Sequence, residues 1–239
     1  MKRLLVCILL VGCTGDDSGG GGAIALDDLG GELATMSCRL QFECCTDAEI
    51  MAQYMGITYN DQPITTEAQC VEFTAAFFGG LAVSQYKKSI ERGRIEYDAD
   101  AAGECIAVAN SASCAEFSSG ALDDSGSMCS PFIIPLVADG GACTQNYECT
   151  SDNCVGATVH TEGEDIDGAC EPLPAAGQTC DFSCADGLYC EYDPTAGMSI
   201  CQPTLADGMD CTFDDDCTSE NCDDTTNTCA SEAPVCDGR

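Results

Sequence analysis

The first half of the chain carries apolar side chains at the spacing of amphipathic helices. Between about residues 29 and 117, hydrophobic positions recur every three or four residues, so that one face of each helix can be buried. Leu33, Met36 and Leu40 predict an opening helix that leads to the adjacent pair Cys44 and Cys45. Adjacent cysteines do not easily bond to each other, so we expect each to bond to a different neighbour.

Polar residues mark the beginnings of the next helices. Thr46, followed three residues later by Glu49, predicts a capping box at the start of a short helix. Thr65 or Thr66 can cap a longer helix. One face of that longer helix would consist of Cys70, Phe73, Phe77 and Leu81.

Two further signals complete the helical pattern. Gly79 and Gly80 interrupt the longer helix and predict a kink or a close helix contact there, since glycine costs about 1 kcal/mol relative to alanine inside a helix. Asp98 can cap another segment whose apolar side chains share one side. Residues 29–128 are therefore predicted to form an all-α, disulfide-bonded bundle of three to five helices.

The second half has too few large apolar side chains for an ordinary core. From residue 130 onwards such side chains are sparse, and the many acidic residues are accompanied by a single cationic residue, Arg239. This composition is typical of disordered chains. Thirteen cysteines reverse that expectation, because each disulfide closing a loop of about fifteen residues removes roughly 3 kcal/mol of unfolded-state freedom. We predict short β and loop modules that are stapled by disulfides.

The composition of the whole chain indicates an oxidising compartment. The 239 residues include 22 cysteines, 41 acidic and 8 basic residues, one histidine and no tryptophan, with a net charge of -33. That charge argues against binding to nucleic acid or to anionic headgroups. The cysteine content is typical of exported scaffolds and not of cytosolic enzymes.

The cysteine count also predicts a bond between the two halves. Cys7 and Cys13 are left out of this count because they belong to the N-terminal segment described next. Of the others, seven lie between Cys38 and Cys129 and thirteen between Cys143 and Cys236. Both numbers are odd. If every thiol is paired within the chain, at least one disulfide must therefore join the halves.

The N-terminus has the organisation of an export signal. Lys2 and Arg3 precede an apolar run, residues 4–11, that is too short to span a bilayer. The end of this run and the two residues after it, Leu-Val-Gly-Cys at residues 10–13, resemble the lipobox of bacterial lipoproteins. The resemblance implies cleavage before Cys13 and lipidation of its sulfur, and several acyl chains anchor a protein stably. Thr14 at the following position is similar to lipoproteins that are sent to the outer membrane; ordinary secretion is the alternative.

A polar, glycine-rich stretch follows Cys13. Residues 14–22 have nothing to bury, so residues 13–28 are predicted to be a lipidated cysteine with a flexible tether.

The cysteines of the second half form three repeated units. Each unit begins Gly-x-x-Cys, continues with two more cysteines and closes with a fourth, over about residues 143–172, 180–203 and 211–229. We call them the first, second and third units. Their cysteine order, with Cys-x-Pro closing the first two, resembles the Dickkopf N-terminal and colipase-type cysteine-rich modules. The doubled cysteine of the colipase type is missing.

This resemblance implies that the first cysteine of each unit pairs with the third, and the second with the fourth. Spacing alone leaves three connectivities open for each set of four cysteines. The implied pairs are Cys143 with Cys154, Cys149 with Cys170, Cys180 with Cys190, Cys184 with Cys201, Cys211 with Cys222, and Cys217 with Cys229. Cys236 is left over and is a candidate for the bond to the helical half.

The sequence offers no catalytic or zinc-binding set. The thiols are expected to be oxidised, and no Cys-x-x-Cys pair occurs. His160 stands alone in an acidic loop, so no nucleophile has an evident histidine base. We therefore assign no catalytic residue, no metal and no cofactor, and we predict that the protein is not an enzyme.

Two acidic loops are the candidates for calcium, which takes about six to eight oxygen ligands. Neither has the spacing of an EF-hand, so we expect solvated acidic turns. The first loop contains Glu162, Glu164, Asp165 and Asp167. The second contains Asp214, Asp215, Asp216, Glu220, Asp223 and Asp224.

A basic cluster ends the longer helical region. Lys87, Lys88, Arg92 and Arg94 hold most of the positive charge that remains after the signal. These side chains complement the helix dipole and can pair with acidic neighbours along the chain. The alternative is that the cluster docks the acidic repeats of the same protein.

These patterns together predict a small disulfide-rich surface lipoprotein. Its parts are a signal peptide at 1–12, the tether at 13–28, the helical domain at 29–128 and the cysteine-rich region at 129–239. Its expected role is structural or binding: it presents stapled modules to an unidentified extracellular protein or glycan, contacts the membrane through its lipid and binds no nucleic acid. A hydrolase inhibitor, a hydrolase and a calcium-dependent adhesin are the alternatives.

Overall fold

The computed structural model describes most of the chain beyond residue 20. The described residues are 21–77, 79, 82–118, 131–160, 164–180, 183–193, 197–223, 225–231 and 236. The predicted signal, Cys13, most of the glycine-rich stretch and Cys129 lie outside them. In the described part of the chain, no helix is both long enough and apolar enough to span a membrane.

A long helix organises the first half. Helix α1 (Leu26–Cys44) packs against α3 (Glu67–Phe77) and α5 (Ala99–Ser111), and it buries Leu29 and Leu40. The other helices are α2 (Asp47–Gln53), α4 (Val83–Glu91) and α6 (Cys114–Ser118). The opening helix predicted from the apolar spacing is thus confirmed.

Two disulfides fasten α1 to its neighbours. The bond between Cys38 and Cys70 joins α1 to α3, and the bond between Cys44 and Cys114 joins its end to α6. Cys38 and Cys70 are fully buried beside Ile64. Sulfur therefore forms part of the apolar core of this half.

The helix starts lie where the capping residues predict them. Thr46 Oγ1 accepts a hydrogen bond from the Glu49 backbone N–H, and the Glu49 carboxylate accepts one from the Thr46 N–H, so the capping box is confirmed. Asp98 caps α5 by accepting from two backbone N–H groups of its first turn. The longer helix is divided near the glycines, where the sequence predicts a kink or a close helix contact: α3 ends at Phe77, α4 begins at Val83, and the described residues between them, Gly79 and Ala82, are π-helical.

The first half is mixed in structure and not all-helical. Strands β1 (Thr58–Tyr59) and β2 (Gln62–Pro63) form a short hairpin, and β3 (Ile95–Tyr97) pairs with β4 (Ile133–Pro135), which follows the helices in the chain. The prediction of an all-α bundle is too narrow in this respect. Strands of two or three residues are too short for an alternating pattern to be visible in a sequence.

The repeated units are small antiparallel structures around disulfides. The first has the strand order β5-β7-β6, and the second and third are two-stranded. The strands are β5 (Ala142–Cys143), β6 (Cys154–Val155), β7 (Gly168–Cys170), β8 (Leu188–Asp193), β9 (Met198–Pro203), β10 (Cys222–Asp223) and β11 (Thr228–Cys229). The interior of the third unit consists of four buried cysteines, with Leu205 packed against them.

The array of units is attached to the helical half near both of its ends. Strand β4, just before the first unit, pairs with β3. Beyond the third unit, Cys236 bonds to Cys45 at the end of α1, across 191 residues of sequence. Cys236 lies in the apolar cluster of the helical half, beside Leu40 and Phe117. This bond joins the two halves of the chain.

Candidate functional site

The first and third units share a turn that a buried carboxylate closes. We number these turns by their unit. The first acidic turn, Thr144–Glu148, lies between Cys143 and Cys149. The third acidic turn, Thr212–Asp216, occupies the same place in the third unit. Glu148 Oε2 accepts from the Thr144 N–H at 2.6 Å, and Asp216 Oδ2 accepts from the Thr212 N–H at 2.7 Å. The second unit has a shorter spacing between its first two cysteines and lacks the length for this turn.

The hydrogen bonds around the two turns match position by position. Asn146 Oδ1 accepts from the Cys154 N–H at 3.0 Å, and Asp214 Oδ1 accepts from the Cys222 N–H at 2.8 Å. The residues before each first cysteine match as well, since Gly140 and Gly208 both have a φ of 83°. The two units therefore share one backbone design.

The strands that precede these two units also match. Ile95 of β3 lies opposite Pro135, as Leu188 of β8 lies opposite Pro203. The next N–H donates to the Arg94 carbonyl in one case, at 2.9 Å, and to the Gly187 carbonyl in the other, at 3.0 Å. The helical half thus supplies to the first unit the strand that the second unit supplies to the third.

In the first unit the carboxylate of Glu148 is 0 % exposed and lies under α4. Ser89 Oγ donates to its Oε1 at 2.5 Å, Thr144 Oγ1 donates at 3.1 Å, and the Arg94 guanidinium lies 3.4 Å away. A buried charge is tolerated only where such donors and an opposite charge compensate its lost hydration. Glu148 therefore requires α4 and the segment that follows it to be in place.

The basic cluster pairs with the acidic loop that contains Asp165 and Asp167. Arg92 lies 3.0 Å from an oxygen of Asp165, and Arg94 lies 2.7 Å from an oxygen of Asp167. Lys88 approaches Asp165 at 3.9 Å. Of the two interpretations of this cluster from the sequence, docking onto the acidic repeats is the one that the structure supports.

These contacts lower the pKa values of both aspartates. The pKa of Asp165 lies below its usual value, first because its carboxylate accepts from the His160 backbone N–H, and then because of the hydrogen bond from Arg92. The pKa of Asp167 is lowered mainly by the hydrogen bond from Arg94. Both carboxylates are thus held in the charged form that the docking requires.

Aromatic packing completes the contact between the halves. The rings of Tyr86 on α4 and Tyr147 in the first acidic turn meet edge to face, with centroids 5.0 Å apart. The Tyr147 hydroxyl lies 3.5 Å from Ser89 Oγ. Burial raises the pKa of Tyr147 to about 12, so its phenol stays neutral at physiological pH.

The third acidic turn is open where the first is covered. Thr212 and Asp215 are exposed, whereas Thr144 is buried and Tyr147 is half-buried. Phe213, in the same turn, is 67 % exposed. A cleft of about 470 Å³ runs beside the turn and is lined by Gly187, Leu188, Thr204, Asp214, Asp215, Cys217, Thr218 and Glu220.

The structure brings the cysteines of each unit together in the order first with third and second with fourth. The bonds in the first unit are Cys143–Cys154 and Cys149–Cys170. Those in the second are Cys180–Cys190 and Cys184–Cys201. Those in the third are Cys211–Cys222 and Cys217–Cys229.

The close sets of possible metal ligands consist of these bonded cysteines. Within the described ranges, each set of three or more such side chains is a trio of sulfurs from one unit, for example Cys143, Cys149 and Cys170. Their sulfurs are in disulfides and are not thiolates that could bind zinc.

Several carboxylates of the candidate calcium loops pair with arginines or accept backbone hydrogen bonds. Asp165 and Asp167 pair with arginines, as described above. In the second loop, Asp214 and Asp216 accept backbone N–H groups of their own unit, and Asp223 Oδ1 accepts two more, from Thr225 and Thr226. Glu162 and Asp224 lie outside the described residues. His160 is exposed, and its described contact is through its backbone.

Comparisons with known proteins leave the site to be interpreted from its geometry. The chain matches no family model, no curated protein and no solved structure.

Glu148 and its partner Ser89 were not predicted from the sequence. A signal for Glu148 was present: the patterns Cys-Thr-x-Asn-x-Glu-Cys and Cys-Thr-x-Asp-x-Asp-Cys share an acid just before the second cysteine. Ser89 has no comparable signal, because its role arises only when α4 packs on the first unit.

Proposed function

We propose that this protein is an exported, lipid-anchored protein of the cell surface with a structural or binding role, whose stapled units are held in a fixed arrangement for an extracellular partner. One observation carries the proposal: the array is fastened near both ends to the helical half. The β3–β4 ladder and the buried Glu148 cluster hold its beginning, and the Cys45–Cys236 disulfide holds its end. A surface held in this way loses little conformational entropy on binding.

The anchor would set the height of this surface above the membrane. Lipidation at Cys13 is the role that the lipobox resemblance implies. Ile24 already belongs to the folded body, because its N–H donates to the Ala99 carbonyl at 3.0 Å. The residues between Cys13 and this contact span at most roughly 40 Å when fully extended. The point where the chain enters the helical half would therefore lie within about this distance of the lipid surface.

The calcium-dependent and hydrolase alternatives gain no support from the described contacts. Asp165 and Asp167 are engaged by Arg92 and Arg94, which compete with any cation for the same oxygens. His160, the candidate base of a hydrolase, is exposed on its loop. A binding or structural role fits these contacts better than either alternative.

The anchor is tested by fractionation with a matched pair of cysteine variants. Cys13→Ser is expected to release the protein from the membrane fraction into the soluble exported fraction. Cys7→Ser is the control, because Cys7 is removed with the signal. The Cys7→Ser protein is therefore expected to stay in the membrane fraction. An amine-reactive label that does not cross membranes should modify the wild type on intact cells. Membrane retention of the Cys13→Ser protein, or failure of the label to reach the wild type, would contradict the proposal.

A further inference from the structure

We propose, as a refinement of this binding role, that the third acidic turn (Thr212–Asp216) docks an arginine-bearing polypeptide segment of a partner protein. The first acidic turn provides the template, since the same backbone design is already occupied there by a basic segment of the chain itself. The inference depends on the proposed function only for its biological setting.

The template contact joins one turn to the end of α4 and the residues that follow. Arg92 Nη1 donates to Thr144 Oγ1 at 3.2 Å, and Arg94 pairs with the buried Glu148. Ser89 donates to the same carboxylate. A hydroxyl and two guanidinium groups thus recognise the side chains and the closing acid of the turn.

The third acidic turn carries more negative charge than the first and has no helix described over it; strand β8 packs beside it, where Tyr189 lies near the buried Asp216. Asp214 and Asp215 stand where the first turn has Asn146 and Tyr147, so two carboxylates replace an amide and a phenol. Both aspartates line the adjacent cleft of about 470 Å³, as does Glu220. The exposed ring of Phe213 adds an apolar contact at the same turn. This combination suits a guanidinium with its apolar stem.

The described cations of the chain are already engaged elsewhere. Each described lysine and arginine lies in an ion pair with a partner outside the third unit. These residues are Arg39, Lys87, Lys88, Arg92 and Arg94. Among the described residues no lysine or arginine is thus left for the third turn, and we assign its occupant to another protein; Arg239 lies outside the described residues.

The test uses the basic segment of the chain as a defined probe. A fluorescent peptide with the sequence of residues 83–97 is titrated into the oxidised, unlipidated Cys13→Ser protein, and binding is followed by anisotropy. We expect saturable binding that weakens with salt. Asp214→Asn/Asp215→Asn should weaken it about five- to tenfold, because two exposed ion pairs are lost. Asn146 shows that asparagine can keep the turn bond at position 214.

The control variant makes the same charge change away from the turn. Asp139→Asn/Asp207→Asn should alter the affinity less than about twofold, since both positions are exposed and lie outside the cleft. A peptide in which glutamine replaces the two arginines should bind no better than background. Intact mass under non-reducing conditions verifies that each variant keeps its disulfides.

Localisation by NMR separates docking from general attraction. Peptide-induced amide shifts should centre on residues 212–220. No binding, equal losses in the two double variants, equal binding of a scrambled peptide, or shifts spread over the molecule would each overturn the proposal. So would calcium alone producing the same shifts, or self-association of the protein through this face. Because the assay needs no lipid, its failure leaves the anchor proposal standing.

Discussion

Replacement of Arg94 by methionine should destabilise the protein by leaving a buried charge unpaired. The guanidinium is 13 % exposed, and its partner Glu148 is 0 % exposed. Removal of one partner of a buried ion pair costs about 3–5 kcal/mol. Donors from Thr144 and Ser89 stay on the carboxylate, so we expect about 2–3 kcal/mol for Arg94→Met. For a protein of this size that loss lowers the Tm by about 5–10 °C.

Thermal unfolding followed by circular dichroism, without reductant, measures this effect. Lys87→Met is the matched control, because the Lys87–Asp27 pair is exposed and should contribute less than about 1 kcal/mol. Arg94→Met/Glu148→Gln should recover part of the loss, since the neutral amide keeps an oxygen for the Thr144 N–H and leaves no buried charge unpaired. The reasoning is refuted if Arg94→Met has no larger effect than Lys87→Met, or if the double variant is the least stable of the set.

Three further predictions concern the pair Asp165 and Asp167, the phenol of Tyr147, and Gly168. The lowered pKa values of Asp165 and Asp167 mean that the charged carboxylates stabilise the docked form above about pH 4. This stabilisation should be lost as the pH falls through the folded-state pKa values. The Tm of Asp165→Asn/Asp167→Asn should therefore depend less on pH in this range than the Tm of the wild type. In a spectrophotometric titration, Tyr147→Phe should leave the curve unchanged near pH 10 and reduce its amplitude only near pH 12, and a loss of amplitude near pH 10 would contradict the burial of this phenol. Gly168→Ala should destabilise the first unit by about 1–3 kcal/mol, because the added methyl group would overlap the Val155 carbonyl oxygen; Gly31→Ala, in open space on α1, should stabilise the protein by about 0.5–1 kcal/mol, and equal effects in chemical denaturation would refute the overlap.

The features that the sequence predicts correctly are local ones. The box formed by Thr46 and Glu49, and the cap at Asp98, depend on hydrogen bonds within three residues, so a short pattern contains all the information needed. The pairing of β3 with β4 joins segments far apart in the chain, and neither strand is long enough to show a periodic pattern. That pairing, and with it the mixed character of the first half, could be found only in the structure.

The candidate site was predictable to the same limited extent. The basic cluster and the first acidic loop are evident as charges, but the sequence left two sets of partners open for the cluster. The packing of Tyr86 on Tyr147 selects between them, because it brings α4 onto the first acidic turn. The open state of the third turn follows from the absence of a comparable helix over it in the described chain, which no pattern within the third unit could reveal.

The central physical claim is that disulfides replace an apolar core in the second half of the protein. Peptide mapping by mass spectrometry of the native protein, without reduction, tests it most directly. The account predicts oxidised cysteines, with two bonds inside each unit in the order first with third and second with fourth, and a bond between Cys45 and Cys236. Free thiols, bound metal or bonds that cross between units would contradict it.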